Sequence, residues 1–251
     1  APSSWGAPAG QMWVDDVRLF ETKLPDTASV SGEEGFNDEP CMVRADDGSI
    51  YVAWNRFDGD DSLRLARWTR GPDGLNVRRE WEVAGGEDVF VLHPRLIAEG
   101  DHTTLLYSRE VDENDWDLRL ADITPDGPGK PKTLLRQDGI DIKPAGDWHN
   151  DTLWIAWESN RGSGRHISVA SRSRGRTAPP ERISAPGSPA YAPSIAALPD
   201  GSVAVAWHSF RDNNYDVYLR RRTPPGKWLP HHRLTRAPHG DRHPDLFLRG
   251  K

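Results

Sequence analysis

One short text is written four times along this chain, at a period near 50 residues, and that repetition limits the possible folds more than any other feature. Pro40, Pro94, Pro144, Pro193 and Pro244 are spaced by 54, 50, 49 and 51 residues. An aromatic follows each of the first four by 13 or 14 residues: Trp54, Tyr107, Trp157 and Trp207. An arginine comes two to four residues later: Arg56, Arg109, Arg161 and Arg211. Val30, Leu134, Ile183 and Leu234 stand ten residues before four of the prolines, and Val83 is one residue out of step. A fixed period of this length means one supersecondary unit stacked on copies of itself.

The unit is made of strands. In Pro193–Arg222, Val203, Val205 and Trp207 alternate with Ser202, Ala204, Ala206 and His208, the period-2 pattern of a strand. The turns are Asp200-Gly201 and Asp212-Asn213-Asn214. No 3.6-residue periodicity supports a helical repeat. About 50 residues of short strands fit a four-stranded β-propeller blade. The expected fold is all-β, an incomplete β-propeller of four four-stranded blades plus the first strand of a fifth. The blades span about 40–84, 94–135, 144–184 and 193–235, and the fifth begins at 244. The second strands are expected to end at Asn55, Ser108, Glu158 and His208.

Composition narrows the class. The 251 residues suffice for one large all-β domain. Mean hydropathy is low, −0.72, and 11 tryptophans supply the buried area that aliphatics do not. A net charge of −6 gives no nucleic-acid footprint. The run Arg220-Arg221-Arg222 reads as a solvated strand end. Cys41 is the single cysteine, which rules out an intrachain disulfide. No apolar run reaches the roughly 20 residues of a membrane span, and no signal peptide is visible.

The two ends break the pattern. Residues 1–22 do not match the repeat, and residues 23–251 form the expected propeller domain. Ala28–Ser31 around Val30 has the spacing of an outer blade strand without its inner strands. HPDLFLRGK opens a fifth blade at Pro244 and stops. The expectation is a piece of a longer protein, with further domains of the same parent chain.

The segments LPDGSVAVAWHSFRDNNYDVYLRR and DTLWIAWESNRGSGRHISVASR, and less clearly EGDHTTLLYSREVDENDWDLRLAD, resemble the repeat of bacterial TolB-like and sialidase-like propellers. Trp13, Val14, Asp15, Asp16, Val17, Leu19 and Phe20 resemble the last strand of a jelly-roll carbohydrate-binding domain; the other reading is a strand on the propeller rim. The propeller resemblance spans residues 40–248 and implies architecture, since propellers host unrelated activities. The Asp-box turn of sialidases, Ser-x-Asp-x-Gly-x-x-Trp, is absent from every blade. Pro225-Gly226-Lys227-Trp228 is the nearest fragment.

Several residues are candidates for chemistry. Arg56, Arg109, Arg161 and Arg211 are candidate anion ligands, as the arginine cluster of the resembled sialidases implies. A residue repeated in every blade more often serves the blade, and Asp61, Asp117 and Asp216 suggest ion pairs across the turn; Arg161 faces His166 instead. Positions that differ between blades carry more information. Asn55, Ser108, Glu158 and His208 follow the strand-ending aromatic and are expected to converge on one face. Asn55 is a candidate ligand contact. Glu158 and His208 are a candidate acid/base pair, against the reading of polar strand ends. A glycosidase needs two carboxylates, and no equivalent position supplies a second. His239 and His243, with Asp241 between them, lie in a loop that does not align two rings for a metal, so no metal site is expected. The turns at Asp58–Asp61, Asp112–Asp115 and Asp212–Asn214 offer oxygens to calcium, though hairpins favour these residues anyway.

The leading expectation is a non-catalytic binding or scaffold module of a secreted or periplasmic multidomain bacterial protein. Its ligand is a carbohydrate or a protein, with no cofactor, no nucleic acid and no membrane span. The alternative is a fragment of a sialidase-like propeller glycoside hydrolase or lyase.

Overall fold

The computed structural model describes residues 35–71, 74–162, 164–224 and 226–248. The expectations for residues 1–22 and for Val30 fall outside these. All regular structure in the described residues is β. The first repeat is an antiparallel meander of β1 (Phe36–Arg44), β2 (Ile50–Phe57), β3 (Asp61–Gly71) and β4 (Gly74–Gly85). The second comprises β5 (Val91–Glu99), β6 (His102–Asp112) and β7 (Asp115–Thr124), with two-residue strands β8 (Gly127–Pro128) and β9 (Lys132–Thr133) on β7. The third comprises β10 (Ile140–His149), β11 (Thr152–Asn160) and β12 (His166–Ser173), edged by β13 (Arg176–Thr177) and β14 (Glu181–Arg182). The fourth comprises β15 (Ala190–Ala197), β16 (Val203–Arg211), β17 (Asn214–Arg222) and β18 (His232–Arg233). A single parallel bridge, Ile140 to Trp116, links the second and third sheets.

The period-2 alternation builds the core between units. Tyr51 and Ala53 of the first unit pack with Leu105 and Tyr107 of the second. Leu106 of the second packs with Leu153, Ile155 and Trp157 of the third. Ala156 of the third packs with Val203, Val205 and Trp207 of the fourth. From the second unit on, the face bearing the strand aromatic therefore meets the preceding unit, and the other face meets the following one. Trp157 and Trp207 are 0 % and 2 % exposed, and burying each such ring is worth about 3 kcal/mol.

Two expectations change. The second strands do not end one residue past the aromatic. They run on to Phe57, Asp112, Asn160 and Arg211, because their hairpins keep pairing, as in Phe57 with Asp61 and Arg211 with Asn214. The tripeptide Arg220–Arg222 is not merely solvated. Arg220 donates to the carbonyls of Ile183 (2.8 Å) and Leu229 (2.7 Å). Arg221 meets Asp200 at 2.6 Å and Ser202 Oγ at 3.0 Å. Arg67, Asp47 and Ser49 repeat the latter triad in the first unit, so these Asp-Gly turns are each held by an arginine from the third strand.

Candidate functional site

The prolines that open the repeats mark a bulge. In β1, β5, β10 and β15 the ladder slips by one residue, between Asp38 and Cys41, Leu92 and Arg95, Ile142 and Ala145, and Tyr191 and Ser194. The residue before each proline has positive φ: Glu39 (50°), His93 (58°), Lys143 (53°), Ala192 (46°) and His243 (54°). None is glycine, so each conformation costs about 1 kcal/mol or more. A proline suits a bulge because it has no N–H to leave unpaired. These five residues and their prolines line one central cavity of about 520 Å³.

The bulge turns the pre-proline N–H toward the preceding unit, where a side chain accepts it. Lys143 N–H donates to Ser108 Oγ (3.2 Å). Ala192 N–H donates to Glu158 Oε1 (2.8 Å). His243 N–H donates to His208 Nδ1 (3.3 Å). In the first junction His93 N–H donates to Glu39 Oε2 (2.5 Å), and Asn55 Nδ2 holds the same oxygen (2.8 Å). The four variable positions singled out in the sequence thus all serve the junction with the next unit. Parity explains it: each follows the aromatic by one residue and so faces forward.

Glu158 is 1 % exposed, and its other contacts are Lys143 Nζ at 3.3 Å and Arg165 at 3.1 Å. Glu39 also faces His93 Nε2 at 3.6 Å. Burial holds the His93 imidazole below its ordinary range, against the pull of Glu39. His208 is packed between Tyr191, at 5.5 Å and near-parallel, and Tyr215, at 5.6 Å edge-on. Desolvation, with the neighbouring charges of His243, Arg242 and Lys143, lowers its pKa to about 4.

The four arginines are not among the cavity-lining residues. Arg56 pairs with Asp58 (2.8 Å), not Asp61. Arg109 stands opposite Asp117 in the β6–β7 ladder. Arg161 finds a partner the sequence did not suggest, the buried Asp141, whose other oxygen accepts the Trp157 indole N–H (2.9 Å). Arg211 lies over the Tyr218 ring at 5.2 Å, while Asp216 takes Arg233 at 2.6 Å. Repetition in sequence therefore does not mean one shared partner. Among the described residues no group of three His, Cys, Asp or Glu side chains is placed to hold a metal.

Sequence reasoning missed Glu39, Lys143, Arg165 and Arg242. The signal for the first two was the position before each proline, where Glu, His, Lys, Ala and His differ from repeat to repeat.

No family model matches this sequence, and no curated protein matches it significantly. The fold does have relatives. A Dyadobacter fermentans protein of unknown function superposes with a TM-score of 0.60 at 12 % identity, over 80 % of this chain and 70 % of that one. An endo-arabinase from Bacteroides thetaiotaomicron gives 0.51 at 13 %, over 82 % of both chains. The chain has a β-propeller fold. The α-L-arabinofuranosidase PaAbf62A from Podospora anserina, solved with cellotriose, gives 0.50 at 12 %, over 80 % of this chain and 69 % of the enzyme. At these identities the likeness is one of fold, and it does not extend to the TolB-like or jelly-roll resemblances.

Proposed function

We propose that this propeller is a saccharide-binding module that holds its ligand at the mouth of the central cavity without cleaving it. The observation that carries this reading is the state of Glu39, which lines the cavity, and of Glu158 behind the lining residues Lys143 and Ala192. Glu158 is sunk among Lys143, Arg165 and the Ala192 amide. Glu39 is held by Asn55 and the His93 amide. A general acid or base must reach the substrate's proton within about 3 Å, and these oxygens already serve protein donors. The cavity remains open and lined by mixed polar and apolar groups, which suits a saccharide. The fold relatives that act on glycans support the ligand class. His243 before Pro244 repeats the positive φ and the backward N–H contact of the preceding units, which supports reading residues 243–248 as the start of a fifth blade. Placement in a secreted or periplasmic multidomain bacterial protein fits the same reading.

A hydrolase is the second reading, favoured by Glu39 and Asp245 lining one cavity. The two are separated by a reducing-end assay on arabino-, xylo- and galacturono-oligosaccharides. The binding reading expects no release above the blank. Release that disappears in both Glu39→Gln and Asp245→Asn, with the variants folded, would establish the hydrolase.

A further inference from the structure

We propose a second binding site, apart from the central cavity, that takes a sulfate or phosphate group. It is a recess on the outer edge between the third and fourth units, where Arg182, Arg220 and His231 meet. It stands independently of the saccharide reading of the cavity.

Charge is spread unevenly along the sequence. The chain carries −6 overall, yet residues 159–199 hold six arginines and one acid, Glu181. Residues 217–240 hold six lysines and arginines and no acid. The first segment supplies β12, β13 and β14 of the third unit, and the second supplies most of β17 and all of β18 of the fourth. These are the outer strands of both sheets.

The fold brings the two segments to one recess of about 330 Å³, lined by Arg182, Arg220 and His231 around residues 183–186. Backbone carbonyls aim both guanidiniums. Arg220 donates through Nη1 to Ile183 at 2.8 Å and through Nε to Leu229 at 2.7 Å. Arg182 donates through Nε and Nη2 to Ser184 and Ala185, each at 3.4 Å. A carbonyl orients a guanidinium without cancelling its charge. Arg182 Nη1 and Arg220 Nη2 are left without a hydrogen bond among the described residues, and neither arginine has a carboxylate partner there.

The nearby acids are already matched. Glu181 stands 4.0 Å from Arg222. Asp216 takes Arg233 at 2.6 Å, Asp212 acts on the same guanidinium, and Arg211 lies beside them over Tyr218. Asp212 and Asp216 thus balance Arg211 and Arg233, and Glu181 balances Arg222. Arg182 and Arg220 remain as two uncompensated charges. His231, edge-on to Tyr218 at 5.8 Å, is held below its ordinary pKa by burial and then by Arg211, Arg220 and His232, all positive. A tetrahedral oxyanion offers one oxygen to each of these groups, and the arginine fork matches its geometry.

The test is an NMR titration of the folded chain at low salt, following the backbone amides of Ile183, Ser184 and Ala185. The probes are inorganic phosphate, inorganic sulfate, galactose 6-sulfate and galactose. The expected result is saturable shifts with phosphate and sulfate, with a dissociation constant on the order of 1 mM, and none with galactose. Arg182→Gln, at an exposed position, should weaken both anions by roughly fivefold, and Arg182→Lys should restore part of the loss. Arg174→Gln removes the same charge at an exposed position outside the recess and should change nothing. Galactose 6-sulfate separates the sources: binding like sulfate assigns the site to an ester group on a glycan, and failure to bind assigns it to the free ion. Shifts that do not saturate, or equal weakening by Arg174→Gln and Arg182→Gln, would overturn the site and leave the reading of the central cavity untouched.

Discussion

Glu158 Oε1 accepts the backbone N–H of Ala192 at 2.8 Å, across the boundary between the third and fourth units. The carboxylate that the sequence offers as a catalytic acid is thereby a clasp between blades. Its removal would strand one amide and two cations around a site that is 1 % exposed. Glu158→Ala is expected to cost about 2–3 kcal/mol, at or below the low end of the range for broken buried pairs because both cations are partly solvated. Urea unfolding should show a lower midpoint at unchanged slope.

Asp141 performs in the third unit what Asn37 performs in the first. Asn37 Oδ1 accepts the Trp54 indole N–H at 3.0 Å, and Asp141 Oδ1 accepts that of Trp157 at 2.9 Å. Asp141→Asn keeps the indole bond but sets an amide donor against the Arg161 guanidinium, which is partly solvated and can turn to water, so it is expected to cost about 1–2 kcal/mol. Asp141→Ala strands both Trp157 and Arg161 and is expected to cost about 3 kcal/mol. Equal destabilisation of the two variants in denaturant titrations would contradict this division.

His208 gives the fold an acid sensitivity. Its folded pKa of about 4 lies below the ordinary imidazole value, so the unfolded chain takes up the proton first. The stability that neutral His208 provides is complete above about pH 6.5 and is lost as pH falls toward 4. Protonated Nδ1 also cannot accept the His243 N–H. The loss is expected to be about 2 kcal/mol after allowing for partial solvation. His208→Gln should flatten the stability profile between these pH values, measured by unfolding at a series of pH points.

Cys41 is expected to be inert. Burial pushes its thiol up to about 11, leaving about one thiolate in a thousand at pH 8. A chromogenic disulfide reagent should react with the native protein only as it unfolds, and should react fully in denaturant.

Much of this architecture is legible in the residues. The period set by Pro40, Pro94, Pro144 and Pro193 and the alternation in Val203–Trp207 describe four sheets packed face to face, because burying one face of a strand is a local pattern. The forward-facing set Asn55, Ser108, Glu158 and His208 is legible for the same reason. Their role is not, since it depends on the bulge before the next proline, and no side-chain pattern shows that Ala192 turns its N–H backward. The partner of Arg161 is hidden likewise: Asp141 lies 20 residues away in sequence and meets it only once β10 and β11 pair. Lys143, Arg165 and Arg242 come from three separate segments, so their convergence exists only in the fold.

The most direct measurement of the central claim is a crystal structure of the chain grown with trigalacturonate. The result expected is an intact trisaccharide at the cavity mouth, against lining residues such as His93, Lys143 and His243. A cleaved product beside Glu39 and Asp245, or a sugar bound away from the cavity, would contradict it.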